Sequence, residues 1–542
     1  REAKSVVGRK RVLCGLLVGR MDKAHQTDKP DAAVLGPLWT YLIGIVVFYL
    51  HWVFLRTLEE DYTELYFNVG EEMWTPVRDW VGVWIPIFLL TMSLEMAYGY
   101  FTKTNLYRTN DALGSLGCGS LLTLTKKLFS QTPLAIGMYT LVWNHWGRSI
   151  HAQMPSWFTD SHLVQWWLMF LGIEFGYYWV HRTGHTMNCF WAMHGVHHSS
   201  EEYNLSTALR QSTIHTFFSS LYYLPLALIM DPPLFIIQSY FNLLYQYWIH
   251  TRVVGKLGPL EWILNTPSQH RVHHGRNAYC IDKNYGGTLC IFDRMFGTFQ
   301  EEVEEVPVVY GLTHSLNTFS PVEANVHPWR GIFANMCAVE GIKNKFLVLY
   351  NGPGWIAGSD PHEEYPIPPC TNNSVQKYHT KLSTGIKVLL VVEFLVGLGL
   401  MDGALKHLDH TYDDQYLCLL AEAVLAGCLF WVIGLTSDRH KHALKAQVLL
   451  MLAVAAVVAY SQTLFEETVL PGNPTVPQRI GAVIAALGVG LWAVGEKRRE
   501  FATPVCEKTE LGQDFDCTEE MEQKQLALAG DKLAAYRKTK DQ

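Results

Sequence analysis

The eleven cysteines of this 542-residue chain include no CxxC pair, so neither a zinc ribbon nor a disulfide framework is indicated. Positive charge is not in excess: the formal net charge is −7, which does not suggest a nucleic-acid partner. Internal repeats and low-complexity segments are lacking too. Mean hydropathy is barely above zero, so the average does not choose between a soluble and a membrane protein. Local stretches do. Several runs of about 17–22 residues carry almost no charge, the length that crosses a hydrocarbon core roughly 30 Å thick. Trp (18) and Tyr (26) are abundant and often sit at the ends of these runs, as interfacial rings do. Scattered cysteines suit a functional side that faces reducing cytosol. The chain opens at Arg1, and its first methionine is Met21. Residues 1–20 are basic with one short apolar run, Val12 to Val18, so the native start is expected near Met21.

Apolar segments fall at about 36–57, 79–101, 132–146, 162–180, 213–230, 233–249, 385–402, 415–435, 446–462 and 479–495. Residues 111–125 are also apolar and could pack as an interfacial helix. The fifth and sixth segments are broken by Asp231-Pro232-Pro233 and read either as a full hairpin or as a shallower re-entrant one. Loop charge sets orientation. The loop 58–78 holds six acids against Arg78, whereas 102–131 holds Lys103, Arg108, Lys126 and Lys127. Later loops alternate consistently and put both termini, 181–212 and 250–384 on the cytosolic side. Lys538 and Lys540, five and three residues from the end, resemble a dilysine retrieval signal for the endoplasmic reticulum. The expected fold is all-α, a polytopic integral membrane bundle with a cytosolic-face, histidine-rich dimetal site. Its parts are a cytosolic segment (1–35), transmembrane helices (36–180), a histidine-box core with a membrane hairpin (181–315), a cytosolic linker or flap (316–384), C-terminal transmembrane helices (385–497) and a cytosolic tail (498–542).

Three histidine clusters stand out of 23 histidines: His181 and His185 as HxxxH, then His194, His197 and His198 as HxxHH, then His270, His273 and His274 as HxxHH again. Residues at i, i+3 and i+4 share a helix face, so each cluster aims its imidazoles at one point. Neutral imidazole ligates iron, zinc and copper. Eight such rings are too many for one ion and suit two. Iron is the expected metal, because activating O2 needs a redox change that zinc does not offer. Two crossings, or a re-entrant pair, separate the second cluster from the third, so all three return to one membrane face. His250 follows an apolar segment and is either a ninth ligand or a satisfied interfacial residue; His215 and His314 read as structural. Glu174, two helical turns before His181 and inside an apolar segment, is the candidate catalytic residue, expected to bind a histidine N–H or to ligate; the alternative is an interfacial pair with Arg182. Asp282, Asn284 and Asp293 follow the third cluster and could orient ligands in the same way.

These boxes resemble the fatty acid hydroxylase superfamily, which also holds sterol desaturases and methyl sterol oxidases. The runs EFGYYWVHR (Glu174–Arg182), HHSSEEYNLSTALRQS (His197–Ser212), NTPSQHRVHHGRN (Asn265–Asn277), YCIDKNY (Tyr279–Tyr285) and FGTF (Phe296–Phe299) are similar to those of its alkylglycerol monooxygenase branch. The similarity spans roughly residues 35–360. It implies a tetrahydrobiopterin-dependent diiron monooxygenase of the endoplasmic reticulum, supplied by cellular pterin recycling and using O2. It also implies hydroxylation of the alkyl carbon beside the ether oxygen of alkylglycerols and lyso ether lipids, giving a hemiacetal that breaks down to a fatty aldehyde and a glycerol derivative. The eight box histidines carry over as metal ligands, and Tyr285 and Asn284 as pterin contacts, with a buried packing role the alternative for Tyr285. Thr186 stands where the branch places Glu, which puts a pterin or acid role there in doubt. Two rival readings remain: a sterol or fatty acyl hydroxylase or desaturase fed by cytochrome b5, and a membrane metal transporter. A transporter would hold its ligands near the midplane on broken helices; here the boxes lie in polar stretches.

Overall fold

A computed structural model describes residues 80–129, 131–214, 219–355, 370, 377–409, 416–465 and 490–500. The first apolar segment, the acidic loop at 58–78, His215 and the tail beyond 500 lie outside the described residues. Among those residues the elements are helices, with only two isolated β-bridges, Leu264 to Leu289 and Gly275 to Tyr310.

Helix α1 (Trp80–Thr102) is apolar on all sides. Its Phe88, Met92 and Glu95, at i, i+4 and i+7, are buried, while Ile85, Leu89, Leu90 and Leu94 are exposed. Helix α2 (Thr109–Leu128) buries Asp111, Ser115 and Cys118 at the same spacing. Helix α3 (Gln131–Val142) runs on through a π-turn at Trp143–Gly147 to His151, so the segment expected at 132–146 is one continuous helical path. The chain passes so closely at Gly147 that a Cβ there would lie 2.1 Å from the Ala227 carbonyl oxygen.

Helix α4 (His162–Thr186) is capped by Ser161, whose Oγ accepts from Val164 N. It breaks at extended Met187, and α5 (Asn188–His198) folds back against it. Of the apolar run 213–230, a 3-10 helix forms over Ser220–Leu228. Nine residues at about 2.0 Å each span about 18 Å, short of a bilayer core. The following α6 (Pro232–Trp248), opened by its two prolines, is 17 residues. The eight-residue α7 (Pro267–His274) carries the third box.

The stretch expected as a flap or linker holds two helices, α8 (Pro321–Ala338) and α9 (Ile342–Tyr350), and both pack on α5. Helices α10 (Thr384–Asp409), α11 (Tyr416–Ser437) and α12 (Ala443–Phe465) form a second bundle. Among the described residues two large apolar cores result, beside smaller clusters. One joins α1, α3, α4 and α6 through Phe88, Tyr139, Met169, Ile173, Leu234 and Phe241. The other joins α10 to α12 through Ile386, Leu389, Leu429, Phe430 and Leu450. Helix α2 belongs to the second through Leu113 and Leu121, and its Leu116 packs against both. Two described helical stretches, Val83–Thr102 and Thr384–Met401, are long and apolar enough to cross a membrane.

Candidate metal centre

Nine imidazoles meet between α4, α5, α7 and the end of α6. His181, His185, His194, His198 and His273 form one group; His197, His250, His270 and His274 form another. Within each group one ring nitrogen per residue lies within 4.8 Å of all the others, and every ring is buried. The helical spacing explains the sharing. His197 and His198 are neighbours on α5 and diverge to different groups, as do His273 and His274 on α7. His250 joins the second group and sits among the box histidines.

Backbone carbonyls fix the rings. Nδ1–H of His181 donates to Tyr285 O (2.8 Å), that of His197 to Arg210 O (3.1 Å), that of His250 to Gln246 O (2.7 Å) and that of His273 to Lys283 O (2.8 Å). A carbonyl oxygen only accepts, so in these four rings Nε2 is left as a lone pair facing inward. Those lone pairs crowd together. His197 Nε2 is 3.1 Å from His250 Nε2, which is 3.0 Å from His270 Nε2. His194 Nε2 lies 2.9 Å from His181 Nε2 and 3.0 Å from His198 Nε2. Two nitrogens held at right angles by one ion, each roughly 2.0–2.1 Å from it, would lie about 2.9 Å apart. His185 Nε2, His273 Nε2 and His274 Nε2 are buried with no hydrogen-bond partner. Facing lone pairs and orphaned nitrogens are costly without a cation, and the donor set fits two ions of the imidazole-binding kind. Burial first, then the neighbouring rings, pushes His194, His198, His270, His273 and His274 well below the ordinary histidine value. Burial alone lowers His250 to about 4. Those six rings are therefore held neutral, the form in which imidazole can ligate a metal.

The expected supporting residues take varied places. Glu174 is buried, but its carboxylate does not meet a histidine or Arg182: it accepts from Asn242 Nδ2 (2.7 Å), Thr288 N (2.7 Å) and Leu289 N (2.9 Å). This corrects the expectation of a histidine partner or ligand. The bonds pin the 285–289 loop, and Asn242 in turn accepts from Gln246, the residue whose carbonyl holds His250. Asp293 acts one step removed from a ring. It accepts from Tyr285 N (2.7 Å), Gly286 N (2.8 Å) and Thr298 Oγ1 (2.7 Å), fixing the carbonyl that orients His181. Asp282 Oδ1 is 3.7 Å from His185 Nδ1, beyond hydrogen-bond reach, and its side chain is half exposed. Asn284, at φ +54°, donates to Gln269 O and Gln300 O and accepts from Gln300 N, so its amide is committed to the loop. Tyr285 is 1% exposed, its ring 5.2 Å from that of His185 and edge-on to Tyr178. Thr186 is exposed and donates to Arg182 O, while His314 is outside both ring groups.

One network escaped the sequence reading. Arg210, 1% exposed, bonds Ser199 Oγ (2.9 Å) and Ser115 Oγ (3.3 Å) and pairs with Asp111 at 3.6 Å, while its own carbonyl orients His197. Asp111 also accepts from Ser200 Oγ at 2.5 Å. Nearby, Glu202 meets Arg108 (2.5 Å), Lys377 (3.1 Å) and Arg252 (3.5 Å). The only advance signal was one Asp in the apolar stretch 111–125.

Among the described residues, two openings reach the rings. A narrow, mainly apolar cleft lined by Tyr177, Val180, Phe190, Met193 and Ser219 ends on His181 and His194. A more polar cavity of 210 Å³ reaches His185, His198, His273 and His274.

Nine buried histidines in two groups, carried by helices with an apolar approach, define a histidine-rich hydroxylase-type centre, and the fatty acid hydroxylase family model matches residues 166–298, which contain all nine. An alkylglycerol monooxygenase of Xenopus tropicalis is 48% identical over 282 residues, 52% of this chain and 61% of its own length. The Homo sapiens alkylglycerol monooxygenase is 44% identical over 365 residues (67% of this chain, 77% of its own), and that of Danio rerio 39% over 376 (69% and 81%). No solved structure gives a significant match. The chain belongs to the alkylglycerol monooxygenase family.

Proposed function

We propose that this chain is a membrane monooxygenase that hydroxylates the ether-linked alkyl carbon of alkylglycerols and lyso ether lipids, using two iron ions, O2 and tetrahydrobiopterin. The observation that carries the metal part is the pair of converging imidazole groups, five rings and four, with lone pairs turned inward. Family membership and the names of its relatives carry the substrate. Iron in this nitrogen cage would supply the redox chemistry that activates dioxygen, which zinc does not have.

The residues of the chain do the rest. His181, His185, His194, His198 and His273 would hold one ion, and His197, His250, His270 and His274 the other. The carbonyls of Tyr285, Arg210, Gln246 and Lys283 keep four of those rings in the ligating tautomer and resist their rotation. Tyr177, Val180, Phe190 and Met193 line a narrow apolar cleft that reaches His181 and His194, an apolar side on the rings. The ether oxygen weakens the adjacent C–H bond, so the position attacked is set partly by the substrate. The hydroxylated carbon is a hemiacetal, which falls apart to a fatty aldehyde and a free glycerol hydroxyl.

The proposed setting is the endoplasmic reticulum membrane, multi-pass, with the boxes and both termini cytosolic. Exposed apolar stripes support it: Leu89, Leu90 and Leu94 on α1, Leu163, Trp167 and Leu171 on α4, Val388, Val391 and Leu395 on α10. The test is fatty aldehyde release from an alkylglycerol by membranes carrying the chain, with and without tetrahydrobiopterin. Release that needs the pterin is expected. Release driven equally by cytochrome b5, or none from any ether lipid, would contradict the reading.

A further inference from the structure

The polar cavity beside the rings is bounded by two segments tied together. Gly275 bridges to Tyr310, and Arg276 N donates to Val309 O at 2.7 Å. Into this frame project Trp191 from α5, Arg276, and Asp282, the one carboxylate among the described lining residues. The Arg276 guanidinium is steadied by Thr313 O at 3.3 Å. Asp282 sits at φ +60°, a left-handed position, in a loop held next door by the saturated amide of Asn284 and by the His273 bond to Lys283 O. The Trp191 indole lies 5.1 Å from the His185 ring and 5.6 Å from the His198 ring. The cavity touches rings of both groups, His185, His198 and His273 from one and His274 from the other.

Resting on the function proposed above, we infer that this cavity, walled by Trp191, Arg276 and Asp282, is the seat of the reduced pterin. Size, edge chemistry and position agree. A cavity of about 150 Å³ takes one benzene ring, so 210 Å³ suits a fused bicycle. A pterin presents two adjacent N–H donors, which a carboxylate accepts as a pair, and beside them a carbonyl oxygen, which a guanidinium satisfies. Its flat ring needs an aromatic face such as Trp191. An alkyl chain has none of these groups to offer the carboxylate and the guanidinium. Asn284 and Tyr285, the sequence-based candidates, have different work: the amide is spent on its loop and the phenol ring is packed behind His185. They build the turn that presents Asp282.

The test uses the full chain in lipid nanodiscs and oxidised biopterin, which binds without reacting, measured by equilibrium dialysis. Asp282→Asn should weaken biopterin binding by about ten- to hundredfold, the loss of a charge-assisted pair, with metal content and KM for alkylglycerol unchanged. Trp191→Leu should weaken it too and guards against a folding artefact in the first variant. Unchanged biopterin affinity in both variants overturns the assignment. So does loss of metal in Asp282→Asn, which would make Asp282 a positioning residue for His185. Competition between biopterin and an alkylglycerol for the cavity would give it to the lipid headgroup instead and overturn it as well. If the wild-type chain binds no biopterin, and aldehyde release is pterin-independent, the functional reading fails before the cavity is tested. Tight wild-type binding with unaffected variants condemns the cavity alone.

Discussion

Replacing Glu174 by Gln separates a clamp from a catalytic acid. The carboxylate has two acceptor oxygens, one used by the Asn242 amide and the other shared by the N–H groups of Thr288 and Leu289. A glutamine has one acceptor oxygen, so its NH2 must face either Asn242 Nδ2 or the two backbone donors. At least one charge-assisted bond goes, worth about 1.5–3 kcal/mol, and a buried donor is left unpaired at about 1–3 kcal/mol more. These overlap, so a loss of about 3 kcal/mol is expected, a large share of a typical 5–15 kcal/mol. The loop that loosens carries Tyr285 O, the acceptor for His181. Glu174→Gln should therefore lower the apparent Tm by several degrees, reduce metal retention and reduce turnover in step with metal. The assay is thermal unfolding of the detergent-solubilised chain beside metal analysis and aldehyde release per bound metal. A variant with wild-type Tm and full metal but no turnover would refute the clamp and restore a chemical role for this carboxylate.

Other consequences are as specific. Gly286→Ala should cost metal, because a Cβ there would lie 2.2 Å from Leu289 O and 3.0 Å from Asp293 Oδ2, displacing the same loop; a metal-to-protein ratio checks it. Asp111→Asn removes the anion beside Arg210, whose carbonyl orients His197, and should weaken metal binding about 10–100-fold in a chelator competition. In the second bundle, fully buried Lys497 meets Glu393 at 3.0 Å and Gln447 at 2.6 Å. Glu393→Gln should cost about 3–5 kcal/mol by stranding the ammonium, while Glu393→Leu with Lys497→Met should recover most of the Tm. Burial raises the Glu202 carboxyl, but Lys377, Arg108 and Arg252 outweigh that and hold it below its ordinary 4.5. A depressed folded value means the unfolded chain takes the proton first. The contribution of Glu202 is thus complete above pH 4.5 and fades as pH falls through the folded value. The Tm gap between wild type and Glu202→Gln should narrow below pH 4.5 and stay constant above it.

The eight box histidines were legible because spacing on a helix determines facing, and three such helices leave few ways to hide that much imidazole. His250 was ambiguous because it stands alone in the sequence; only the fold brings the turn after α6 to His270. Glu174 was misread because helical phase gives a face but not a height. Seven residues place it about 10 Å along the axis from His181, next to the 285–289 loop. The ring-orienting groups were not legible at all, since they are backbone carbonyls and every residue has one. The run 213–230 leaves a full hairpin and a re-entrant one open, because spanning and re-entrant stretches have similar composition. Helix α8 did leave a signal, Ser320 as N-cap before Pro321 with Glu323 in the first turn, which the Pro and Gly nearby obscured.

The proposed chemistry requires two ions held by nine imidazoles. Metal analysis of the anaerobically purified full chain, joined to X-ray absorption at the iron edge, tests that most directly. Two irons per chain in a nitrogen-dominated shell are expected, falling towards one or none in His250→Ala. A properly folded chain that takes up only one ion, or one whose His250→Ala variant keeps both irons and an unaltered shell, would contradict it.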